Sequence, residues 1–434
     1  MNTAFIKTRA WLSFTEVLCV IFFISIICAF RAVTSISIAL MILAGIIQQS
    51  KISLAAIVHS SLFPFFTGCV LFFFWQTFSL LYTGNFEAGL NDTRLKTGLL
   101  FTPCLIFFII CFKPGELKKL LSWYCVAVFL ASIYLLIVAS IHFSKEKDIS
   151  VFFYHTLVSP FRYHAVYYSI LVFIALSFLL DNPVASEKIF PNAALSVMIV
   201  FLSAFLLLLS SKLVISYYAI YIIVVLIGRA GKRQVPRLFI YTSGVMIAFG
   251  TLFIMLTKNP VGNRFRDFAS GNINLIFQNK FSPSVYFNGL QFRLLQWKLV
   301  PEILSEKHRW WLGISTGDAQ RVLNEKYIAL NMYRGEPGKP DGGYLDYNTH
   351  NQLLQSLLQS GIPGALIYLF IYVSLLLAAL KSKEKLFRFT VFLLLIYLFV
   401  ESLFQEQYGL VIFIFWPLFF SQLYKQNSQP EIKI

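Results

Sequence analysis

Long apolar runs separated by short polar stretches fill this chain. Crossing about 30 Å of hydrocarbon takes about 20 mostly apolar residues. In lipid such a run must be helical, because an unpaired backbone group there is too costly. Twelve runs approach this length, at roughly 11–30, 33–49, 61–83, 97–113, 119–142, 164–181, 193–211, 213–228, 238–257, 361–380, 387–404 and 407–424. They predict an all-α polytopic membrane protein with about twelve transmembrane helices. One long polar interruption, 258–360, falls between the ninth and tenth helices and is expected to be mostly helical. The chain then divides into helices 1–9 (1–257), the large loop (258–360), and helices 10–12 with a tail (361–434). Lys7 and Arg9 before the first run imitate a signal peptide. The run is long enough to span and no small-residue cleavage pattern follows, so a retained helix is expected. From Ala193 to Ile227 a single helix would reach about 50 Å at 1.5 Å per residue. A break is therefore expected at Ser210-Ser211-Lys212.

Composition sharpens this picture. Of 434 residues, 58% are apolar and 13% charged, against about 25% charged in a soluble domain. A soluble class is excluded, and the scarcity of Gly, Pro and Cys excludes collagen-like, disordered and disulfide-framework classes. The net charge of +16 need not imply nucleic acid, because basic residues collect in cytoplasmic loops and set topology. With the N-terminus inside, the inner loops hold 17 basic residues: Lys7, Arg9, Lys51, Lys113, Lys118, Lys119, Lys188, Arg229, Lys232, Arg233, Arg237, Lys381, Lys383, Lys385, Arg388, Lys425 and Lys433. The short outer segments hold 7: Arg31, Arg94, Lys96, Lys145, Lys147, Arg162 and Lys212. Both termini are thus expected in the cytoplasm and the large loop outside. Cys19, Cys28, Cys69, Cys104, Cys111 and Cys125 all fall in apolar runs without metal-ligand spacing. No HExxH, Asp-rich motif, nucleophile elbow or poised carboxylate pair occurs, so neither metal nor cofactor is expected.

A loop of about 100 residues is more often functional than incidental. Arg293 and Trp297 are four apart and share a helical face. Arg293 is either a surface cation covering the tryptophan or a guanidinium for a phosphate. Trp311-Leu-Gly313-Ile-Ser-Thr-Gly317-Asp318 reads as a tight turn or a close backbone approach to a ligand, and alone it assigns no function. In Tyr347-Asn348-Thr349-His350-Asn351, Asn348 or Thr349 is the expected N-cap, with His350 in the first helical turn. A neutral histidine there could accept a hydroxyl proton or simply sit at the interface. Arg162-Tyr163-His164-Ala-Val-Tyr167 is a second such site or an aromatic belt. Lys212 either snorkels or faces an anionic substrate.

The stretch from Arg293 to Gly364 resembles the O-antigen ligase and polysaccharide polymerase superfamily of bacterial membrane glycosyltransferases. The resemblance lies in the Arg293-x-x-x-Trp297 helix and the Gly313-x-x-x-Gly317-Asp318 turn. It continues through His350-Asn351-x-x-Leu354-Gln355 and Gly361-Ile-x-Gly364. His164-x-x-Tyr167 and Ser211-Lys212 are weaker matches, the latter where the family usually shows Ser-Arg. The resemblance implies a GT-C-like architecture in the bacterial inner membrane with a periplasmic loop. It also implies a metal-independent, inverting transfer. The donor would be a glycan on undecaprenyl diphosphate. The acceptor would be a sugar hydroxyl on lipid A–core or on another lipid-linked glycan. By carry-over His350 is the general base or the acceptor-orienting group, and Arg293 and Lys212 hold the diphosphate. Arg162, His164, Tyr167, Arg264, Arg266, Trp297 and Asn351 are possible supports. A lysine lacks the arginine fork, so Arg162, Arg264 or Arg266 could substitute at that position. Ligase and polymerase stay undivided, and a flippase for the same lipids or a non-catalytic assembly scaffold are the readings from other classes.

Overall fold

The computed structural model describes residues 3–48, 60–181, 192–231, 262, 272–336 and 342–423. Among these the chain is helical, with no strand. The expected ninth span, 238–257, and Arg264 and Arg266 lie outside the described residues.

The apolar runs form α1 (Thr3–Ile27), α2 (Arg31–Gln48) and α3 (Phe63–Phe78), then a short polar α4 (Phe86–Lys96). There follow α5 (Pro114–Glu146), α6 (Ala165–Asp181), α7 (Asn192–Leu208) and α8 (Lys212–Gly231). The large loop contributes α9 (Gly289–Glu306) and α10 (Ala319–Ala329). α11 (Gln352–Lys381), α12 (Lys385–Val400) and α13 (Gln407–Leu423) are the last of the described helices.

Among the described residues, five helices are long and apolar enough to cross a membrane, or six if the bent pair Tyr154–Phe161 and Ala165–Asp181 is one span. Phe14–Ile27, Ala193–Leu208 and Gln407–Leu423 are shorter apolar helices. Within the described residues the expected spans do not all take the form of one regular helix. The run 97–113 is the clearest departure. Its helical turns at Gly98–Phe101 and Ile106–Ile109 flank a 3₁₀ turn at Thr102–Leu105. Pro103 explains it, since proline cannot donate to the helical ladder and its ring crowds the preceding turn. The expected break at Ser210-Ser211 is present: α7 ends at Leu208, Ser210 is left-handed (φ +52°), and α8 starts at Lys212.

A large apolar core runs through the membrane helices, and large side chains such as Ile36, Leu43, Leu130, Ile137, Leu366 and Leu377 point outward. An exposed apolar helix face of this extent fits a lipid surrounding. The half-buried helical charge at Glu16 is paired with exposed Lys119, whose Nζ reaches both carboxylate oxygens at 3.0 Å. The large loop has a core of its own, with Phe292, Leu295, Leu299, Ile303, Leu323 and Tyr327 at its centre.

One backbone interlock joins that loop to the bundle. α11 breaks at Ser360 and Gly361 (φ +67°), just before Pro363. Into the break fits Trp310–Ser315. Ile314 N–H donates to the Leu358 carbonyl (2.8 Å), Ser315 N–H to Gln359 (3.0 Å), and Ile362 N–H to Trp310 (2.9 Å). Gly313 (φ +73°) and Gly361 approach so closely that a Cβ on either would meet backbone at 2.5 Å or less. Asp318 clasps the loop between α3 and α4: its carboxylate accepts from Gly84 N–H (2.6 Å) and Thr83 Oγ1 (3.1 Å), and from Ser315 Oγ of its own turn (2.9 Å). The Gly313–Asp318 turn is thus a close approach to the chain's own backbone.

Candidate active site

The N-terminal end of α11 carries the His350 segment. Its cap is Asn351, whose Oδ1 accepts from Leu354 N–H at 3.1 Å. The N-cap expected at Asn348 or Thr349 is therefore corrected by two or three residues. His350 precedes the helix instead of lying in its first turn, with left-handed backbone (φ +46°). The shift has a cause: Asn348 Oδ1 is already used by His350 N–H (2.9 Å), and Thr349 Oγ1 donates to the Asn351 carbonyl (2.9 Å). Asn351 also straps the segment to the end of α12, through Phe399 O (3.2 Å) and Ser402 Oγ (3.2 Å). Its contacts are structural.

That strap brings His350 to Glu401. Nδ1 lies 2.9 Å from Glu401 Oε2, and Arg293 Nη2 lies 2.7 Å from Oε1. Arg293 is held further by Nε to the Val400 carbonyl (2.9 Å) and Nη1 to Gly289 (2.9 Å). Two of its five N–H groups remain for other partners. α9 presents it from a fixed start: Asn288 Oδ1 accepts from Leu290 and Gln291 N–H, and Gln291 Oε1 in turn accepts from Asn288 N–H. This reciprocal cap fixes the helix register. Trp297 follows Arg293 by one turn, half-buried, with its indole N–H buried and unpaired among the described residues.

Glu401 was not legible as a site residue, because it closes the apolar run read as a span over 387–404. The helix ends at Val400, and Glu401–Glu406 forms a turn. A carboxylate at the end of an apolar run was the available signal. Burial alone would raise its pKa. His350, then Arg293 and His164, overcome this and hold it at about 2. It is therefore ionised at neutral pH. A carboxylate on Nδ1 keeps the proton there and leaves the Nε2 lone pair as acceptor, the arrangement of a general base.

The other predicted residues border this centre to different degrees. Ser211, just before Lys212, is bonded to Tyr397 (2.7 Å between hydroxyls), one turn before Glu401. This puts half-buried Lys212, the first residue of α8, beside the Glu401 end of α12. His164 feels Glu401 electrostatically and packs against His155, ring centroids 4.1 Å apart, with Tyr167 at 5.7 Å. Arg162 is exposed and closes the preceding turn with left-handed backbone (φ +51°). No ion pair among the described residues joins it to the group. No cluster of three metal-ligating side chains occurs among the described residues.

These features define a polytopic helical membrane protein with a histidine–carboxylate–arginine group at the junction of a folded loop and the bundle. Residues 197–369 match the family model for O-antigen ligase, and over that stretch the chain is similar to that family. The match supports a glycosyltransferase-like enzyme of the ligase or polymerase type in a multi-pass bacterial membrane protein. It spans Lys212, Arg293 and His350 and stops before Glu401. No curated protein matches the chain.

Proposed function

We propose that the protein is an O-antigen ligase-type transferase. It moves a glycan from undecaprenyl diphosphate to a sugar hydroxyl, on lipid A–core or a similar acceptor, at the periplasmic face of the inner membrane. The His350–Glu401 pair carries this reading. The acceptor oxygen attacks the anomeric carbon while His350 Nε2 takes its proton. The bond from that carbon to the diphosphate oxygen breaks, inverting the centre, and the electron pair leaves with undecaprenyl diphosphate. The leaving group gains charge, so it needs cations more than an acid. The spare N–H groups of Arg293 and the Lys212 ammonium supply them, without a metal ion. Glu401 stabilises the imidazolium that forms and does not itself take the proton.

The test is the lipid-linked and surface glycan profile of a strain carrying His350→Ala. The expected outcome is loss of surface glycan with long undecaprenyl-linked chains accumulating. Accumulation of single repeat units would instead indicate a polymerase with the same chemistry. An unchanged profile would defeat the transferase mechanism and leave the flippase or scaffold readings.

A further inference from the structure

Beside the base lies an aromatic ring that the mechanism above leaves unused. Tyr347 is 46% exposed. Its ring edge packs on Phe292 (5.5 Å, 89°), and its centroid lies 5.7 Å from that of His350. The segment carrying it is tethered from two helices. The Tyr347 carbonyl accepts from Tyr327 Oη (3.1 Å) and Gln320 Nε2 (3.2 Å). Asp346 exchanges two bonds with the Asn324 amide, at 2.8 and 3.0 Å. Gln296 Nε2 donates to the Asn348 carbonyl. Burying this ring would stabilise the loop, as burial does for its neighbour Phe292, which is 7% exposed. Instead the backbone is pinned so that the ring stays open next to the base. A rigid ring is a low-entropy contact surface with an apolar face.

We propose that Tyr347 is the platform for the acceptor sugar: the C–H face of a pyranose stacks on the ring, and an edge hydroxyl meets His350 Nε2. This rests on the reading of His350 as the acceptor-side base. Stacking on a neighbour of the base leaves the equatorial hydroxyls at the sugar's rim, within the hydrogen-bond reach that proton transfer requires. The pinned loop avoids ordering costs on binding. The site therefore takes a pyranose with an apolar face, and the ring sets acceptor affinity while His350 sets the rate.

The experiment uses the full-length protein in lipid nanodiscs. A lipid extract of the deletion strain supplies donor and acceptor fractions, and the acceptor fraction is varied against fixed donor. For Tyr347→Ala, the acceptor concentration giving half-maximal rate should rise about tenfold, with kcat and donor half-saturation within about twofold of the wild type. Tyr347→Phe should behave as wild type, and Tyr347→Leu, which lacks a flat ring, as the alanine variant. An unchanged acceptor requirement in Tyr347→Ala overturns the platform. So does a fall in kcat alone, which would make the ring a support for His350. Equal defects in Tyr347→Phe and Tyr347→Ala overturn stacking in favour of a hydroxyl contact. The base reading fails separately, if His350→Ala still transfers glycan.

Discussion

Glu401 is the residue on which the site turns. With Nδ1 of His350 on a carboxylate, the ring is held in one tautomer and one orientation. Replacing Glu401 by Gln keeps the shape but removes the charge that stabilises the imidazolium. The expected kcat of Glu401→Gln is lower by about 10²-fold or more, measured as single-turnover transfer with melting as the folding control. Glu401→Asp should recover part of it. The same carboxylate has a pH signature. Its folded pKa is depressed to about 2, against about 4.3 for an unperturbed glutamate. Its contribution to stability is present above about pH 4.3 and is lost as pH falls toward 2. Melting from pH 5 to pH 2 should show that loss in the wild type and less of it in Glu401→Gln. His350 and Arg293 were legible as candidates in the sequence, through residue type and the family resemblance of their segments. Glu401 was not, because its partner His350 lies 51 positions away, and only packing discloses that proximity.

At the scale of elements, the group depends on how α11 is broken. The interlock of Trp310–Ser315 with Leu358–Ile362 fixes the N-terminal half of α11, and thereby His350, against the bundle. Gly361 has φ +67°, and a Cβ there would sit 2.2 Å from the Trp311 carbonyl oxygen. Gly361→Ala should cost about 1–3 kcal/mol through strain and backbone clash and lower transfer with it. Gly115→Ala, whose Cβ meets nothing within 4 Å, should be neutral by the same melting assay. Asp318 adds a second acid-sensitive tie. Burial would raise its pKa, but bonds from Gly84, Arg321, Ser315 and Thr83 hold it below the usual value. Its share of stability is therefore present above about pH 3.9 and lost as pH falls through the depressed value. Asp318→Asn should remove that part of the acid transition. Periodicity located α9 and α11 within a few residues. It could not foresee that the glycines meet each other, since a close approach between segments leaves no local pattern. The broken run at 97–113 shows the same limit, as apolar content signalled a span while Pro103 decided its shape.

At the scale of the molecule, the segments that charge counting placed outside are the ones that touch. Arg31 pairs with Glu406 (3.2 Å), Gly84 and Thr83 with Asp318, Ser211 with Tyr397, and Asn351 with Ser402. Lys96 is buried, reaching Asp92 (2.6 Å), Gln76 (3.0 Å) and Gln359 (2.8 Å), and burial lowers its pKa despite Asp92. A lysine so placed ties α4 to the break in α11. All these contacts gather at one end of the bundle, together with His350 and Arg293. An independent count of basic residues assigned the same segments to one side, so that end is expected to face the periplasm, where a flipped lipid-linked glycan would be presented. Replacing the six native cysteines and adding single ones tests this. Glu325→Cys, on the exposed face of α10, and Glu87→Cys should react with an impermeant maleimide once the outer membrane is opened. Lys383→Cys, between α11 and α12, should react only after the inner membrane is breached. The reverse pattern would put His350 in the cytoplasm, on the wrong side for a periplasmic transfer, and the ligase reading would fall with it.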